Sequence, residues 1–313
     1  MIGKLLYRFK VKFGHGFYTA WQRDVTRWKI LETAPVGGLT EDSCEIHVLT
    51  CERDWLDLIW SLKSFFAVCE RRFRLCIHDD GSVSSAGMAA LRQHFPDARI
   101  VSRQEADEYV GAEFLKDYKN CADLRRTNVL SLKVFDFAAY LRSPRLLLID
   151  SDILFFDRPN VLLDRVCDPR YELNSLNKDW GLGYTVEPAH IQQMLDFDFQ
   201  APINSGLGLM HRDSYQLEWF ERWLTLPGVV GHPHRIEQTL VGLACSRYGH
   251  EFLPAEYDVT LDGTRPSEVV KHYTGPIRHL LYREGLRRAF PLLKDERSRP
   301  DARARVVARR PAV

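Results

Sequence analysis

Two aspartates follow a short apolar segment near the middle of this 313-residue chain. Leu146–Ile149 is a continuous apolar run, typical of a central strand covered on both faces, and Asp150 and Asp152 come directly after it. Side chains two residues apart on a strand face the same way, so both carboxylates can reach one ion at the carboxyl edge of a sheet. Such oxygens suit a hard divalent cation that also binds phosphate. The alternative is a turn in which one aspartate caps the next segment.

The residues around this pair alternate between strand and helix patterns. Strands are predicted at Glu45–Thr50, Phe73–His78, Arg99–Val101 and Leu146–Ile149, and helices at Trp55–Val68, at Ser84–His94 and from an N-cap at Thr127 to about Leu141. Such alternation implies an α/β fold with a mostly parallel central sheet and helices on both faces. The aspartates would then lie at the end of the fourth strand along the chain.

The second half of the chain is less regular. Gly181–Gly183 and Asn204–Gly208 are glycine-rich and are predicted to be turns that let the backbone approach a ligand closely. Helices are predicted at Tyr215–Leu226, where the aromatic residues favour a core role, and at Ile236–Ser246, and a short strand at Val269–Tyr273.

Charge divides the chain into an acidic body with basic ends. Residues 1–33 hold seven Lys and Arg against two acids, and residues 286–313 hold nine against three, although the whole chain carries only +1. We predict a basic, aromatic N-terminal arm at 1–40, a main domain at 41–285 and a disordered basic tail at 286–313. The arm either packs on the body or lies on an anionic membrane surface.

Composition also excludes several classes of protein. An acidic body argues against a nucleic-acid-binding core, which needs a basic surface. The seven scattered cysteines contain no C-x-x-C pair, which indicates a reducing compartment and no zinc site. We find no apolar run of transmembrane length and no uninterrupted apolar segment near the N-terminus, so the prediction is a cytoplasmic protein.

Five short motifs, in order, resemble those of the GT-A glycosyltransferases, and most of all the retaining family 8 (the glycogenin and bacterial galactosyltransferase group). Asp150-Ser151-Asp152 matches the D-x-D motif, Asn204-Ser205-Gly206 is similar to N-A-G, and Glu237-Gln238 is similar to D-Q. Leu253-Pro254 with Tyr257-Asp258 resembles L-P-x-x-[YW]-N, and His272-Tyr273-Thr274-Gly275 matches the first half of H-F-x-G-x-x-K-P-W. The resemblance spans about residues 45–280 and implies the GT-A fold.

The resemblance also implies a set of site residues. Asp150, Asp152 and His272 would hold the metal, either Mn²⁺ or Mg²⁺, and an imidazole nitrogen among the ligands favours Mn²⁺. The donor nucleotide sugar would meet residues within and beside these motifs, namely Ser151, Asn204, Ser205, Gly206, Gly275 and Arg278. Arg278 stands where the family has a phosphate-binding lysine, and an arginine can hold phosphate through two hydrogen bonds.

Other candidates depend on their positions along the chain. Glu237 and Gln238 would lie near the anomeric carbon of the donor, or else form a charged first turn of a helix. Asp80 would contact the nucleoside, unless it belongs to a turn in which Ser82 caps the next helix. Lys133 is a candidate for phosphate and Thr50 for a backbone contact, and a solvated helix face is the alternative for Lys133.

The predicted function is a metal-dependent glycosyltransferase for polysaccharide biosynthesis. It would move a hexose from a nucleotide-diphosphate sugar, with a UDP-sugar favoured, to a glycan or lipid-linked acceptor with retention of configuration. Asp79-Asp80-Gly81-Ser82 is also similar to the D-D-G-S of the inverting family 2. Two alternatives remain: a non-catalytic nucleotide-binding or scaffold protein of the same fold, and a haloacid-dehalogenase-like phosphatase with Asp150 as nucleophile. The basic termini would add peripheral membrane contact.

Overall fold

The computed structural model describes residues 13–295, which surround a six-stranded sheet with the order β3-β2-β1-β4-β7-β6. The strands of this sheet are β1 (Glu41–Thr50), β2 (Phe73–Asp79), β3 (Arg99–Val101), β4 (Arg145–Ile149), β6 (Ser175–Lys178) and β7 (Ile203–His211). The first four strands run parallel, whereas β7 is antiparallel to both β4 and β6. The predicted α/β architecture with a mostly parallel sheet is therefore confirmed.

A small second sheet lies beside the end of β4. It pairs β5 (Ile153–Phe155) with β8 (Val270–His272) in antiparallel fashion, and Ile153 is opposite His272. Because β5 begins directly after Asp152, this register brings His272 next to the aspartate pair although 120 residues separate His272 from Asp152 along the chain. The strand predicted at Val269–Tyr273 is confirmed.

Helices cover both faces of the main sheet and bury one apolar cluster on each. The α-helices of at least seven residues are Phe17–Asp24, Trp55–Cys69, Ser85–His94, Lys119–Thr127, Leu132–Tyr140, Asn160–Cys167, Leu217–Trp223, Ile236–Tyr248 and Leu286–Asp295. Trp55–Cys69 and Leu286–Asp295 contribute to one cluster, and Leu132–Tyr140 and Ile236–Tyr248 to the other. The helix at Leu217–Trp223 buries Phe220 and Trp223, so its predicted core role is confirmed.

The N-cap predicted at Thr127 is wrong. Thr127 ends the helix Lys119–Thr127, and its hydroxyl donates back to the carbonyl of Asp123. The next residue, Asn128, accepts hydrogen bonds through its side chain from the amides of Leu130 and Ser131 and opens a short 3-10 turn. The helix Leu132–Tyr140 follows this turn. Both residue types cap helices, and the asparagine is the one in extended conformation at the break.

The turn predicted at Asn204–Gly208 is also wrong, because these residues lie inside the buried strand β7. Its two glycines are required by close packing. A Cβ on Gly208 would lie 2.4 Å from the carbonyl oxygen of Ser175 on the neighbouring strand. Glycine in a strand often marks such a close approach of another backbone or side chain.

Segments at both ends of the described part of the chain pack against the rest of the protein. Residues 286–295, expected in a disordered tail, form a helix that buries Leu286, Ala289 and Leu293 at helical spacing. In the N-terminal arm, Ile30 is fully buried and the indole of Trp60 donates to the carbonyl of Arg27 at 2.8 Å, so residues 13–33 pack on the body. Residues 1–12 and 296–313 lie outside the described part. Within that part, none of the helices combines the length and the apolar character that crossing a bilayer requires.

Candidate active site

A cavity of about 780 Å³ lies at the carboxyl edge of β1, β2 and β4. Every residue predicted for the site lines it, namely Thr50, Asp80, Lys133, Asp150, Ser151, Asp152, Asn204, Ser205, Gly206, Glu237, Gln238, His272, Gly275 and Arg278. Parallel strands direct their carboxyl ends to one edge, which explains why residues far apart in sequence meet there. Another cavity, of about 210 Å³, opens at the opposite edge of the sheet and contains none of them.

Asp150, Asp152 and His272 form a compact cluster on the cavity wall. A ligand atom from each lies within 4.8 Å of the others. Nε2 of His272 is 3.1 Å from Oδ1 of Asp152 and 3.9 Å from Oδ2 of Asp150. Burial lowers the pKa of His272, but the Asp152 contact outweighs burial and raises this pKa above its ordinary value. Two carboxylates and one imidazole fit Mn²⁺.

The imidazole of His272 is oriented by the Asn204-Ser205-Gly206 segment. Its Nδ1 lies 3.1 Å from Oδ1 of Asn204, which also accepts the amide of Gly206 at 3.0 Å. An Nδ1–H donated to Asn204 leaves Nε2 available for a metal, the usual arrangement behind a histidine ligand. A Cβ on Gly206 would lie 2.4 Å from Cε1 of His272, so the imidazole ring occupies the space that a side chain here would need.

Arg278 lies among three carboxylates. Its guanidinium is 2.8 Å from Oδ2 of Asp152, 3.4 Å from Oδ1 of Asp54 and 3.6 Å from Oδ2 of Asp57. Burial would raise the pKa of Asp152, but Arg278 and His272 outweigh burial and hold this pKa well below its usual range. Sequence reasoning missed Asp54, the N-cap residue of the helix Trp55–Cys69, and Asp57 in its first turn. The one signal was two acids at the start of a mostly apolar helix.

A second charged cluster connects Glu237, the predicted catalytic carboxylate, to the cluster of Asp150, Asp152 and His272. Nζ of Lys133 is 2.9 Å from Oδ1 of Asp150, 3.3 Å from Oε1 of Glu237 and 3.0 Å from the carbonyl of Ser205. Ser205 also donates its hydroxyl to Oε2 of Glu237 at 2.9 Å. Burial raises the pKa of Glu237, and Lys133 offsets only part of this effect. Lys133 is thus buried, and the alternative of a solvated helix face is wrong.

Gln238 holds a loop at the mouth of the cavity. Its Nε2 donates to Oδ2 of Asp179 at 2.8 Å and its Oε1 accepts from the side chain of Asn204 at 3.4 Å. The loop that Asp179 begins carries Trp180 and Leu182, which are 55% and 49% exposed and line the cavity. Sequence reasoning missed Asp179 and Trp180. The glycines at 181 and 183 indicate a loop, but they do not indicate that it is bound by Gln238.

Asp80 and Thr50 line the cavity where β2 and β1 end. Asp80 donates its amide to the carbonyl of Thr50 at 3.0 Å, and its Oδ1 accepts the amide and the hydroxyl of Ser82. The following helix is capped by Ser84, whose Oγ accepts the amide of Gly87, so the alternative in which Ser82 is the cap is wrong. The buried hydroxyl of Thr50 has no hydrogen-bond partner among the described residues.

Four further basic residues lie near this region. Arg125 is buried and pairs with Asp136 at 2.6 Å, whereas Arg126 is exposed. His232 and His234 are exposed and line the cavity mouth.

Comparison with known proteins identifies the fold of this chain. No family model and no curated protein matches the chain. Among solved structures, a galactosyltransferase, LgtC, in complex with donor and acceptor sugar analogs, is 15% identical with a TM-score of 0.53, covering 84% of this chain and 99% of that chain. The apo form of mouse xyloside xylosyltransferase 1 is 10% identical with a TM-score of 0.51, covering 76% and 99%. The predicted GT-A fold is confirmed.

Proposed function

We propose that the protein is a metal-dependent glycosyltransferase that moves a hexose from a nucleotide-diphosphate sugar, UDP-sugar favoured, to a glycan or lipid-linked acceptor. The observation that carries this proposal is the cluster of Asp150, Asp152 and His272 in the large cavity of a GT-A fold, with the buried carboxylate of Glu237 beside it. The cavity is large enough for a ligand of this size.

Asp150, Asp152 and His272 would hold Mn²⁺ or Mg²⁺, which neutralises charge on the departing diphosphate when bound. Arg278 contributes a second positive charge from the same wall and would hold the diphosphate oxygens through two hydrogen bonds. Ser151 and Gly275 line the cavity beside these groups. At the ends of β1 and β2, the carboxylate of Asp80 and the hydroxyl of Thr50, which has no hydrogen-bond partner among the described residues, would meet the nucleoside.

Glu237 is the residue we assign to the reacting carbon. Lys133 and Ser205 fix the orientation of its carboxylate, and Gln238 and Asn204 lie beside it. A carboxylate in this position would stabilise an oxocarbenium-like transition state or attack the anomeric carbon, and either role fits a retaining reaction. Lys133 compensates the charges of both Glu237 and Asp150, because its ammonium contacts both.

The acceptor would enter at the mouth of the cavity. Trp180, Leu182 and Val129 expose apolar surface there, and Arg235 adds positive charge. An aromatic ring offers a flat apolar surface against which a sugar ring can pack, and the guanidinium suits an acceptor that carries phosphate. These features support a glycan or a lipid-linked saccharide as acceptor.

Peripheral contact with the cytoplasmic membrane face fits the N-terminal arm. Phe17, Trp21 and Trp28 are 73%, 53% and 46% exposed, and the preceding residues are basic. Aromatic side chains beside Lys and Arg favour the interface of an anionic bilayer. Flotation with anionic vesicles should exceed flotation with neutral ones and should fall in the F17S/W21S/W28S variant. Equal flotation with both vesicle types would contradict membrane contact.

The decisive experiment measures ligand-induced thermal shifts and donor hydrolysis on the full chain. UDP, GDP, CMP and UDP-sugars are each added with and without Mn²⁺, because a ligand that binds only the folded state raises Tm. We expect a shift that needs both metal and one nucleotide diphosphate, and hydrolysis of the corresponding sugar donor. Asp152→Asn should abolish both, whereas Asp213→Asn, an exposed aspartate outside the cavity, should change neither.

Other outcomes point to the alternatives. A metal-dependent shift without hydrolysis or transfer to any acceptor would favour a non-catalytic nucleotide-binding protein. Hydrolysis of a generic phosphomonoester through a phosphoaspartate would favour the phosphatase, although the aspartates follow the fourth strand along the chain rather than the first.

A further inference from the structure

His47, Cys76 and His78 form a second cluster of metal-binding side chains, buried within the main sheet. Nδ1 of His47 is 3.0 Å from Nε2 of His78, and Sγ of Cys76 is 3.3 Å from the same nitrogen. All three side chains are at most 1% exposed. Within residues 13–295, this group and the group of Asp150, Asp152 and His272 both bring three ligand atoms within 4.8 Å.

The strand register places the three residues together. His47 on β1 is opposite Cys76 on β2 in the parallel ladder, and His78 lies two residues further along β2 on the same face. The rings of Phe137 and Tyr140 cover the cluster, with ring centroids 4.8 Å and 5.7 Å from that of His78. No combination of sequence spacing reveals this site, because one ligand comes from a different strand than the other two.

We propose that His47, Cys76 and His78 bind a soft d10 cation, Cu⁺ or Zn²⁺, in a buried structural site separate from the proposed active site. Thiolate sulfur and imidazole nitrogen select such ions, whereas the carboxylates of Asp150 and Asp152 select a hard one. Binding replaces the thiol proton of Cys76, which leaves to solvent, by a metal–sulfur bond.

The present separations are close to those of a ligated ion. Metal–nitrogen bonds of about 2.0 Å and a metal–sulfur bond of about 2.3 Å place neighbouring ligand atoms roughly 3.3–3.8 Å apart. The observed 3.0 Å and 3.3 Å require an expansion of only a few tenths of an ångström.

Glu45 lies beside the other ring nitrogen of His47. Oε2 of Glu45 is 3.5 Å from Nε2 of His47 without forming a hydrogen bond, and a proton on Nε2 would face this carboxylate and leave Nδ1 available for an ion. A carboxylate behind a histidine ligand is the common outer-shell arrangement of metal sites. Nδ1 of His78 is buried and has no hydrogen-bond partner among the described residues, so it can carry the proton when Nε2 binds the ion.

The charge of the group depends on which ion binds. Nε of Arg99 donates to Sγ of Cys76 at 3.3 Å, and its Nη2 lies 3.4 Å from Oε1 of Glu45. A Cys76 thiolate and Glu45 together carry one more negative charge than Arg99 compensates. Cu⁺ makes this buried group neutral and Zn²⁺ leaves one positive charge, so the two ions are separate arms of the test.

The test measures metal content of the full chain, expressed with added copper or with added zinc and purified without metal-affinity resin or chelator. We expect about one soft ion per chain, beyond any Mn²⁺. Cys76→Ser should lower it at least tenfold. Cys245→Ser, which removes another fully buried thiol on the helix Ile236–Tyr248, should retain it.

Cys76→Ser could lose metal simply because it folds poorly, so two further measurements test the site without this variant. X-ray absorption of the wild-type protein should show one sulfur and two imidazoles around the ion, and Glu45→Gln should weaken binding about 10–100-fold. A wild-type protein without copper or zinc, an ion without sulfur in its shell, or an ion lost in Asp152→Asn but kept in Cys76→Ser would each overturn the proposal.

Discussion

Lys133 and Glu237 form a buried ion pair, with Nζ 3.3 Å from Oε1 and both side chains at most 7% exposed. The same ammonium contacts Asp150 at 2.9 Å, so one lysine compensates the proposed catalytic carboxylate and a proposed metal ligand. A buried charge that loses its partner is strongly unfavourable, and stability and site geometry are therefore coupled at this residue.

Lys133→Met should lower the free energy of unfolding by about 3–5 kcal/mol in metal-free buffer, because Glu237 and Asp150 lose their shared counter-charge. Urea unfolding measures this change. Lys119→Met is the control: it breaks an ion pair with Asp123 in which the lysine is 85% exposed, and it should cost less than about 1 kcal/mol. Equal effects of the two substitutions would contradict the role of Lys133.

Arg278→Met should lower the stability of the metal-free protein by about 2 kcal/mol, since Asp152, Asp54 and Asp57 share this guanidinium. It should also enlarge the rise in Tm produced by Mn²⁺ alone, because the ion no longer competes with Arg278 for Asp152. Calorimetry with and without Mn²⁺ measures both effects. Arg265→Met, at an exposed pair with Asp262, should leave the Mn²⁺ effect unchanged.

Gly206→Ala should weaken Mn²⁺ binding about 10–100-fold, as expected when the support of a ligand is disturbed. The new Cβ would lie 2.4 Å from Cε1 of His272 and 3.0 Å from Oδ1 of Asn204, so the imidazole must move. Titration calorimetry with Mn²⁺ gives the affinity.

The matched control for this glycine is Gly275→Ala, in the same cavity. A Cβ there meets no atom within 4 Å. Mn²⁺ affinity should therefore change less than about threefold, because substitutions at positions without close contacts usually change the free energy by no more than about 0.5 kcal/mol. A loss in Gly275→Ala as large as that in Gly206→Ala would show that His272 is not held in place by the strand β7.

His250 should make the protein lose stability as the pH falls below about 6.5. Its Nε2 accepts the amide of Leu176 at 3.2 Å, and burial, with a smaller effect of Arg165, lowers its pKa to about 4. The unfolded chain takes up the proton near its ordinary pKa and the folded chain does not, so stability is lost between those two values, by up to about 3 kcal/mol.

His250→Gln isolates this contribution, because an amide oxygen accepts the same hydrogen bond without titrating. Urea titrations at each pH give the unfolding free energy of both proteins. As the pH falls from 6.5 to 4, the wild type should lose stability relative to the variant. A difference that is independent of pH over this range would exclude His250 as the source.

Trp180→Ala should reduce glycosyl transfer to saccharide acceptors far more than donor hydrolysis by water. Trp180 is 55% exposed at the cavity mouth, and its loop is tied by Asp179 to Gln238. Losing this stacking surface should weaken acceptor binding by about 1 kcal/mol or somewhat more. Acceptor KM should therefore rise roughly tenfold. Trp21→Ala, equally exposed on the N-terminal arm, should change neither rate. A matching fall in hydrolysis would place Trp180 at the donor instead.

Much of the fold and of the proposed site could be predicted from local patterns. Leu146–Ile149 is apolar because both faces of β4 are covered, and the alternation of strands and helices before it predicts a parallel sheet. In such a sheet the carboxyl ends meet at one edge, so Asp80, Asp150 and Thr50 had to lie close to each other. Short motifs then added His272 and Glu237 from the irregular second half.

Local patterns failed where a competing residue or a long-range contact decided the outcome. Thr127 and Asn128 both have capping side chains, and only the backbone break distinguishes them. The glycines of Asn204–Gly208 suggested a turn, yet they are small because His272 and the strand β6 approach β7 closely. Leu286, Ala289 and Leu293 have helical spacing, but the basic residues around them suggested a disordered tail.

The sequence by itself determined which residues have strand or helix periodicity and which chemical groups follow the strands, because both depend on neighbours within a few positions. Only the tertiary structure decided the pairings: Arg278 with Asp54 and Asp57, Lys133 with Glu237, and His47 with Cys76 and His78. Each joins residues from separate elements. Strand order and register set the distances between these residues, and burial makes an unpaired charge unfavourable. Strand order, register and burial cannot be read from the spacing of residues along the chain.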